Sequence, residues 1–340
     1  MISYPRRKAG KERTMVLNLD SILSRAGSVA IAGHVHPDGD CVGSCLAVYQ
    51  YIRKYHPDLE AVVYLEPIPR IFTFLQYADE IRQPGDEAGR VFDLCIALDC
   101  GDSGRLGAAE EFFKTAEHTV CIDHHVSNQA FARENMIVPD ASSTCELVYR
   151  LLPKERITKE IAESLYTGMV TDTGVFQYSC TSRATMEAAG DLMSRGIDFT
   201  VIVDRVFFQK TFVQQKIMGR ALLNARMYED IRLIATVLTQ EEMDECGALP
   251  KHVEGISSQL RSTKDVEVCL FLYPLEENLY KVSARSAKVV DVSAIAVKYQ
   301  GGGHVRAAGF SLKGDDPWQM VAMISEDIRA QMARDDASLT

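Results

Sequence analysis

Three short apolar runs in the first half of the chain each end in a histidine or an aspartate, and no other feature limits the fold so tightly. SVAIAG (28–33) runs into His34, LCIAL (94–98) into Asp99, and TVCI (119–122) into Asp123, His124 and His125. With AVVYL (61–65), these runs are brief and apolar throughout, as strands buried on both faces of a parallel sheet are. Helical patterns separate them, so the first half is expected to be an α/β domain, a parallel sheet covered by helices. In open sheets of this kind ligands gather outside the carboxyl ends of the strands. Three strand ends would therefore bring His and Asp side chains to one place.

The helices are marked by spacing and caps. Val42, Cys45 or Leu46, Tyr49 and Ile52 form one stripe, and Ser143 with Glu146 reads as a capping box before LVYRLL. Thr158 opens a helix through Ile161, Leu165 and Met169 that carries the chain to Asp172, and a further helix runs from Ser182 to Gly196. The segment from Asp198 to Ala225 is helical in pattern. Beyond it, strand-like IRLIATVL, VEVCLFLY and LYKVSAR runs, helical stretches around Glu241 and His252, and a helix from Asp291 to Tyr299 describe a smaller α/β domain. Gly301, Gly302 and Gly303 then precede His304, and an amphipathic helix near Trp318 to Met332 closes the pattern. The expected organisation is a leader over 1–14, a first domain over 15–196, a helical linker over 197–228 and a second domain over 229–335.

Charge and composition narrow the partners. The first fourteen residues carry five basic side chains and one acidic one, so of the net −10 the remaining chain holds −14. No apolar segment follows them, which excludes a secretory signal; a disordered leader is expected, with Met15 a second candidate start. An acidic body repels a long polyanion, so a nucleic-acid substrate should be short. With 46% hydrophobic and 25% charged residues and no run long enough to span a bilayer, a soluble protein without a membrane partner is expected. Nine cysteines without a C-x-x-C pair fit a reduced, cytoplasmic setting, where each is expected to be a small buried apolar residue.

The loop after the first strand reads His34-Val-His-Pro-Asp38-Gly-Asp40, and Gly39 is expected to let the backbone turn so that two carboxylates face neighbouring ions. Asp172, in TDTG, adds another. P-D-G-D alone is an ordinary turn, D-H-H alone a solvated loop, and T-D-T-G alone a helix end. Together they make an inventory of two histidines and four aspartates. Oxygen-rich ligands with some imidazole suit manganese, magnesium or cobalt better than structural zinc, and manganese is expected. Two such ions can bridge a water and clamp the oxygens of an in-line phosphoryl displacement, which is phosphoester hydrolysis.

These residues, in this order, resemble the DHH phosphoesterase family: H-x-x-P-D-x-D-x-x-G-S at His34 to Ser44, L-D at Leu98 and Asp99, D-H-H at Asp123 to His125, and T-D-T-G at Thr171 to Gly174. Ser283-Ala-Arg285-Ser286, Asp291-Val-Ser and Gly301-Gly-Gly-His304-x-x-Ala-Ala-Gly309 resemble the substrate domain associated with it, and the likeness covers about Met15 to Met332. The resemblance implies one metal held by His34, Asp38 and Asp99 and another by Asp40, Asp99, His124 and Asp172, with Asp99 shared. It implies that His125 contacts the scissile phosphate, that Asp123 steadies the loop, and that Arg285 and His304 bind the far phosphate or nucleotide. The three glycines would let backbone N–H groups approach an anion. Many relatives have a fourth glycine where this chain has Gln300.

Within the family, a chain of this size with both domains resembles the nano-RNase and pAp phosphatase group, which degrade short RNAs from an end and remove the 3′-phosphate of pAp. The implied active site lies in a crevice between the domains. The rival reading is a phosphodiesterase of linear pApA or cyclic di-AMP, and a reading of another class is a nucleotide-binding regulator without catalysis. Intact ligand positions argue against the last. The sequence is compatible with a homodimer.

Overall fold

The computed structural model describes residues 17–338; the leader expected over 1–14 and the alternative start at Met15 lie outside the described residues. The chain divides into two compact units, one ending at Gln209 and the other beginning at Lys210. The break falls inside the span read as a linker.

In the first unit, a short helix α1 (Leu19–Leu23) leads into five parallel strands, β1 (Ser28–Ala32), β2 (Glu60–Tyr64), β3 (Leu94–Leu98), β4 (His118–Asp123) and β5 (Glu134–Ile137), in the order β2-β1-β3-β4-β5. Connections between strands carry α2 (Gly39–Tyr55) and α3 (Glu110–Thr115), and α4 (Thr144–Leu151), α5 (Lys159–Asp172), α6 (Arg183–Ser194) and α7 (Phe199–Val203) follow the last strand. Period-two alternation sends Val29, Ile31, Leu94, Ile96, Leu98, Val120 and Ile122 into the core under α2, α4 and α5. Ala30, Ala32, Tyr64, Cys95 and Ala97 meet Phe92, Phe112 and Phe113 on the other face. Strand order reverses between β1 and β3, the place where doubly wound sheets open a crevice at their carboxyl edge.

The four expected strands are present to within a residue or two, and β5 is an addition. Its sequence, ENMI, is half-buried along its length and carries no apolar run. The expected caps Ser143, Thr158 and Ser182 all accept a backbone N–H. The capping box at α4 is only half formed, however. Glu146 receives the N–H and the hydroxyl of Ser142 and the hydroxyl of Thr185, so it does not reach back to the cap. All nine cysteines are free, and eight are buried.

Gly39 has a different role from the one its turn sequence implies. It is the first residue of α2, and a Cβ there would lie 2.3 Å from the Thr171 hydroxyl of α5. One turn on, a Cβ at Gly43 would lie 2.4 Å from the Ser164 carbonyl, and one at Gly168 would lie 2.3 Å from Cys145 Sγ and 2.9 Å from Asp40 Oδ1. Small residues thus let α2 and α5 approach closely, which sets Asp40 near the start of one helix beside Asp172 at the end of the other.

The second unit opens with α8 (Phe212–Leu223). Its six-stranded sheet has the order β10-β11-β9-β8-β7-β6, from β6 (Arg226–Tyr228), β7 (Leu233–Val237), β8 (Val268–Glu276), β9 (Leu279–Ser286), β10 (Gly302–His304) and β11 (Ala307–Lys313). Only β7 and β8 pair in parallel. The helices α9 (Gln240–Cys246) and α10 (Ile256–Arg261) pack with α8 on one face, and α11 (Val292–Lys298) and α12 (Pro317–Ser338) cover the other. The helical pattern around His252 is a single 3-10 turn. Gly302 and Gly303 of the glycine run lie in β10, which pairs antiparallel with β11. Among the described residues no helix is long and apolar enough to cross a membrane.

Gly168→Ala is expected to destabilise the first unit by about 1–3 kcal/mol, the usual range for overpacking a rigid contact. Urea unfolding in chelator measures it; a change below about 0.5 kcal/mol would mean that α5 yields easily.

Candidate metal centre

β1, β3 and β4 deliver the side chains that the motifs place at their ends. His34 is buried, and its Nδ1–H donates to the Val35 carbonyl at 2.8 Å, which turns Nε2 toward the neighbouring carboxylates. That nitrogen lies 3.4 Å from Asp99 Oδ2 and 3.7 Å from Asp38 Oδ1. His124 Nε2 lies 3.3 Å from Asp172 Oδ2, 3.6 Å from Asp99 Oδ1 and 3.9 Å from Asp40 Oδ2. Asp99 therefore turns one oxygen to each histidine. It holds this position with a φ of +58°, a left-handed backbone that is strained for a residue other than glycine.

Each carboxylate has its own support. Asp38 caps α2, accepting the N–H groups of Asp40 and Cys41. Asp40 is fully buried and takes the Thr144 N–H on Oδ2 at 2.6 Å and the Cys145 N–H on Oδ1 at 2.8 Å. The Thr144 hydroxyl donates to Asp99 Oδ1 at 3.0 Å. Asp123, also fully buried, accepts the His124 N–H, the His125 Nδ1–H at 2.7 Å and the Asn128 side-chain amide at 2.7 Å. It thereby holds His125, whose side chain is 43% exposed, beside Asp99 and His124.

The electrostatics call for a cation. Burial, reinforced by Asp99 and Asp172, pushes the Asp40 carboxyl well above the usual carboxylate range. Burial also raises Asp172 to about 6, with Asp99 and Asp38 repelling its charge against the pull of His124 and His125. His34 is raised to about 11, because the bonds of Asp38 and Asp99 overcome a burial that works the other way. Burial opposes the ionisation of Asp123, yet its bonds from His125 and Asn128 hold it low, and the same bond raises His125. Like charge in excess, held together by fixed hydrogen bonds, fits divalent cations and no disulfide, haem or thiolate chemistry. The nitrogen and oxygen atoms of His34, Asp38 and Asp99 lie within 4.8 Å of one another, as do those of Asp40, His124 and Asp172, and those of Asp99, His124 and His125.

His36 takes no part: its side chain is 92% exposed, and its N–H donates to Glu66. The structure adds Thr144, Cys145, Glu146 and Asn128 to the residues read from the sequence. The only sequence signal for the first three was a helix start, and Asn128 had none.

The other candidates lie in the second unit. Arg285 on β9, Ala307 on β11 and His304 on β10 occupy one row across three strands, so Arg285 and His304 share a sheet face. The Arg285 guanidinium donates to the Ala284 carbonyl and the Ser283 hydroxyl. Gly301 donates its N–H to Ala296 in the C-cap of α11, and a Cβ there would lie 2.4 Å from the Gly309 carbonyl. Gly303 has φ +143°, and a Cβ would lie 2.5 Å from the Ala307 carbonyl, whereas Gly302 faces open space. Close strand packing, more than an open anion cradle, explains two of the three glycines. Gln300 sits at φ +60°, in the left-handed conformation that suits the glycine expected of relatives.

A doubly wound sheet whose strand ends gather histidines and aspartates around a shared carboxylate is the framework of a metal-dependent hydrolase. Residues 28–169 match the DHH family N-terminal domain, and residues 230–333 match the DHHA1 domain. The chain belongs to the DHH family of metal-dependent phosphoesterases. It is 31% identical over 316 residues to a Thermus thermophilus protein named bifunctional oligoribonuclease and PAP phosphatase NrnA, with 91% of each chain covered. It is 28% identical over 330 residues to the Bacillus subtilis cyclic-di-AMP phosphodiesterase GdpP, covering 91% of this chain and 49% of that one. Its fold resembles the crystal structure of an exopolyphosphatase-related protein from Bacteroides fragilis, with TM-score 0.80, 27% identity and coverage of 91% and 93%.

The raised Asp172 carboxyl binds a proton in the cation-free fold at pH values where the unfolded chain has lost it. Stability should therefore fall as pH climbs from about 4 to about 6, by up to about 3 kcal/mol for a shift of this size. Asp172→Asn is expected to lessen that slope in thermal unfolding followed in chelator without abolishing it, because the raised Asp40 carboxyl acts in the same direction, and an unchanged slope would exclude Asp172 as a source.

Proposed function

We propose that this chain hydrolyses short oligoribonucleotides from an end and removes the 3′-phosphate of pAp, using two divalent cations. The observation that carries the reading is the position of Asp99, with one oxygen 3.4 Å from His34 and the other 3.6 Å from His124, so that a single carboxylate serves two adjoining donor sets. His34, Asp38 and Asp99 would hold one cation, and Asp40, Asp99, His124 and Asp172 the other. Manganese suits this oxygen-rich set. Bound there, the cations would supply Lewis acidity to a phosphoryl oxygen and lower the pKa of water.

The chain's own residues do the rest. His125, held by Asp123 and raised in pKa, offers Nε2–H to a phosphate oxygen at the rim of the centre. Arg285 and His304, with Gly301, Gly302 and Gly303 shaping the strand that carries His304, bind the far phosphate or the nucleotide. Small substrates agree with the acidic body of the chain, and with the name of the Thermus relative, matched over 91% of both lengths. A cytoplasmic setting is consistent with nine free cysteines. The second reading, cleavage of linear pApA or cyclic di-AMP, has its support in the 28% identity to the Bacillus subtilis cyclic-di-AMP phosphodiesterase.

Hydrolysis of pAp, a dinucleotide RNA, pApA and cyclic di-AMP should be compared side by side with manganese and then with chelator. Cleavage of pAp and the dinucleotide, abolished by chelation and restored by manganese, is the expected result. A preference for pApA or cyclic di-AMP supports the second reading, and turnover that survives chelation overturns both. Asp99→Ala is expected to lower kcat at least about a thousandfold, since it removes the ligand common to both cations and with it several kcal/mol of charge stabilisation. Arg285→Ala is expected mainly to raise KM, by about 10- to 100-fold for a lost charged hydrogen bond. An equal fall in kcat would contradict a binding role.

A further inference from the structure

The proposed ligands account for the aspartates and histidines of the centre but not for a fully buried carboxylate behind it. Glu146 is 0% exposed, as are Ser142, Ser143, Thr144 and Thr185 around it. Its Oε2 receives the Ser142 N–H at 3.1 Å, the Ser142 hydroxyl at 2.5 Å and the Thr185 hydroxyl at 2.8 Å, and Arg150 closes on Oε1. Thr185 belongs to the cap of α6, where its hydroxyl also accepts the Ser182 N–H. Glu146 therefore ties the start of α6 to the turn that leads into α4.

That turn aims the first residues of α4 at the centre. The N–H groups of Thr144 and Cys145 take one oxygen each of Asp40, and the Thr144 hydroxyl takes Asp99 Oδ1. One threonine thus contacts a carboxylate of the second donor set and the carboxylate common to both. A carboxyl rotation at Asp99 would swing its oxygens away from His34 and His124 together, and the hydroxyl is the only side-chain hydrogen bond among the described residues that opposes it apart from the histidines themselves.

We propose that Thr144 is a positioning residue that fixes the rotation of Asp99 and seats Asp40, and that Glu146 with Ser142 and Thr185 is the buried brace that holds Thr144 in place. This rests on the reading of the centre as a site for two cations. Hydrogen-bonded partners of metal ligands commonly contribute 10- to 100-fold to metal affinity, and buried polar networks of this kind are rigid when every member is satisfied.

The test is manganese binding to the cation-free full chain, followed by calorimetric titration and by the manganese EPR signal, with thermal unfolding in chelator as the structural control. Thr144→Val keeps the shape of the side chain and removes the hydroxyl. It is expected to weaken manganese binding about 10- to 100-fold while the chain still unfolds cooperatively in chelator, and Thr144→Ser is expected to restore affinity to within a few-fold of the wild type. Thr185→Val, which removes one donor to Glu146 without touching Asp40 or Asp99, is expected to weaken binding several-fold. It also keeps the proposal testable if Thr144→Val does not fold. Wild-type affinity in Thr144→Val overturns the positioning role, and wild-type affinity in Thr185→Val overturns the brace. A wild-type chain that binds no manganese at all overturns the reading of the centre itself, which separates the two failures.

Discussion

Like charge crowded into a buried corner is the constraint on which the first unit depends. Asp40 and Asp99 are almost wholly removed from water, and Asp172 and Asp38 stand close enough to repel them. An unpaired buried carboxylate costs several kcal/mol, so each needs compensation built into the backbone. Asp40 obtains it from the first turn of α4 and Asp99 from the Thr144 hydroxyl and two histidines, while the exposed Asp38 caps α2. The remaining excess of negative charge is what divalent cations neutralise. The same arrangement that makes the cation-free fold uneasy thus makes the site selective for charge.

The packing of the helices follows from that requirement. α2 and α5 must come close for Asp40 and Asp172 to face one site, and Gly39, Gly43 and Gly168 leave the space for it. Asp99 leaves its strand with a positive φ, a conformation that only the surrounding bonds make tolerable. The His125 ring is aimed by a buried aspartate that itself touches no proposed cation position. Rigid support, from helix starts and satisfied hydrogen bonds, therefore extends well beyond the atoms that would meet a metal.

The second unit uses a different economy of parts. Its mostly antiparallel sheet sets Arg285 and His304 in one row through register alone, with Ala307 between them as a small spacer. The tight pairing of β10 with β11 demands glycine at 301 and 303, so that motif reports backbone proximity at least as much as ligand contact.

What could be read directly from the sequence was local. The apolar runs, the caps at Ser143, Thr158 and Ser182, and the metal-type residues at three strand ends are each visible because periodicity and side-chain chemistry are properties of neighbouring residues. β5 was not visible, since ENMI has no hydrophobic pattern and is a strand only because β4 offers it an edge. The role of Gly39 is hidden from the sequence for a related reason: its turn-like neighbours are adjacent in sequence, whereas Thr171, which excludes a side chain there, is not. Thr144, Cys145 and Glu146 looked like an ordinary helix start. The sequence by itself determined which residues could bind cations and roughly which strands would carry them. Only the tertiary structure decided that a helix beginning more than a hundred residues after Asp40 supplies its hydrogen bonds, because those partners meet through packing between elements and leave no trace in the spacing along the chain.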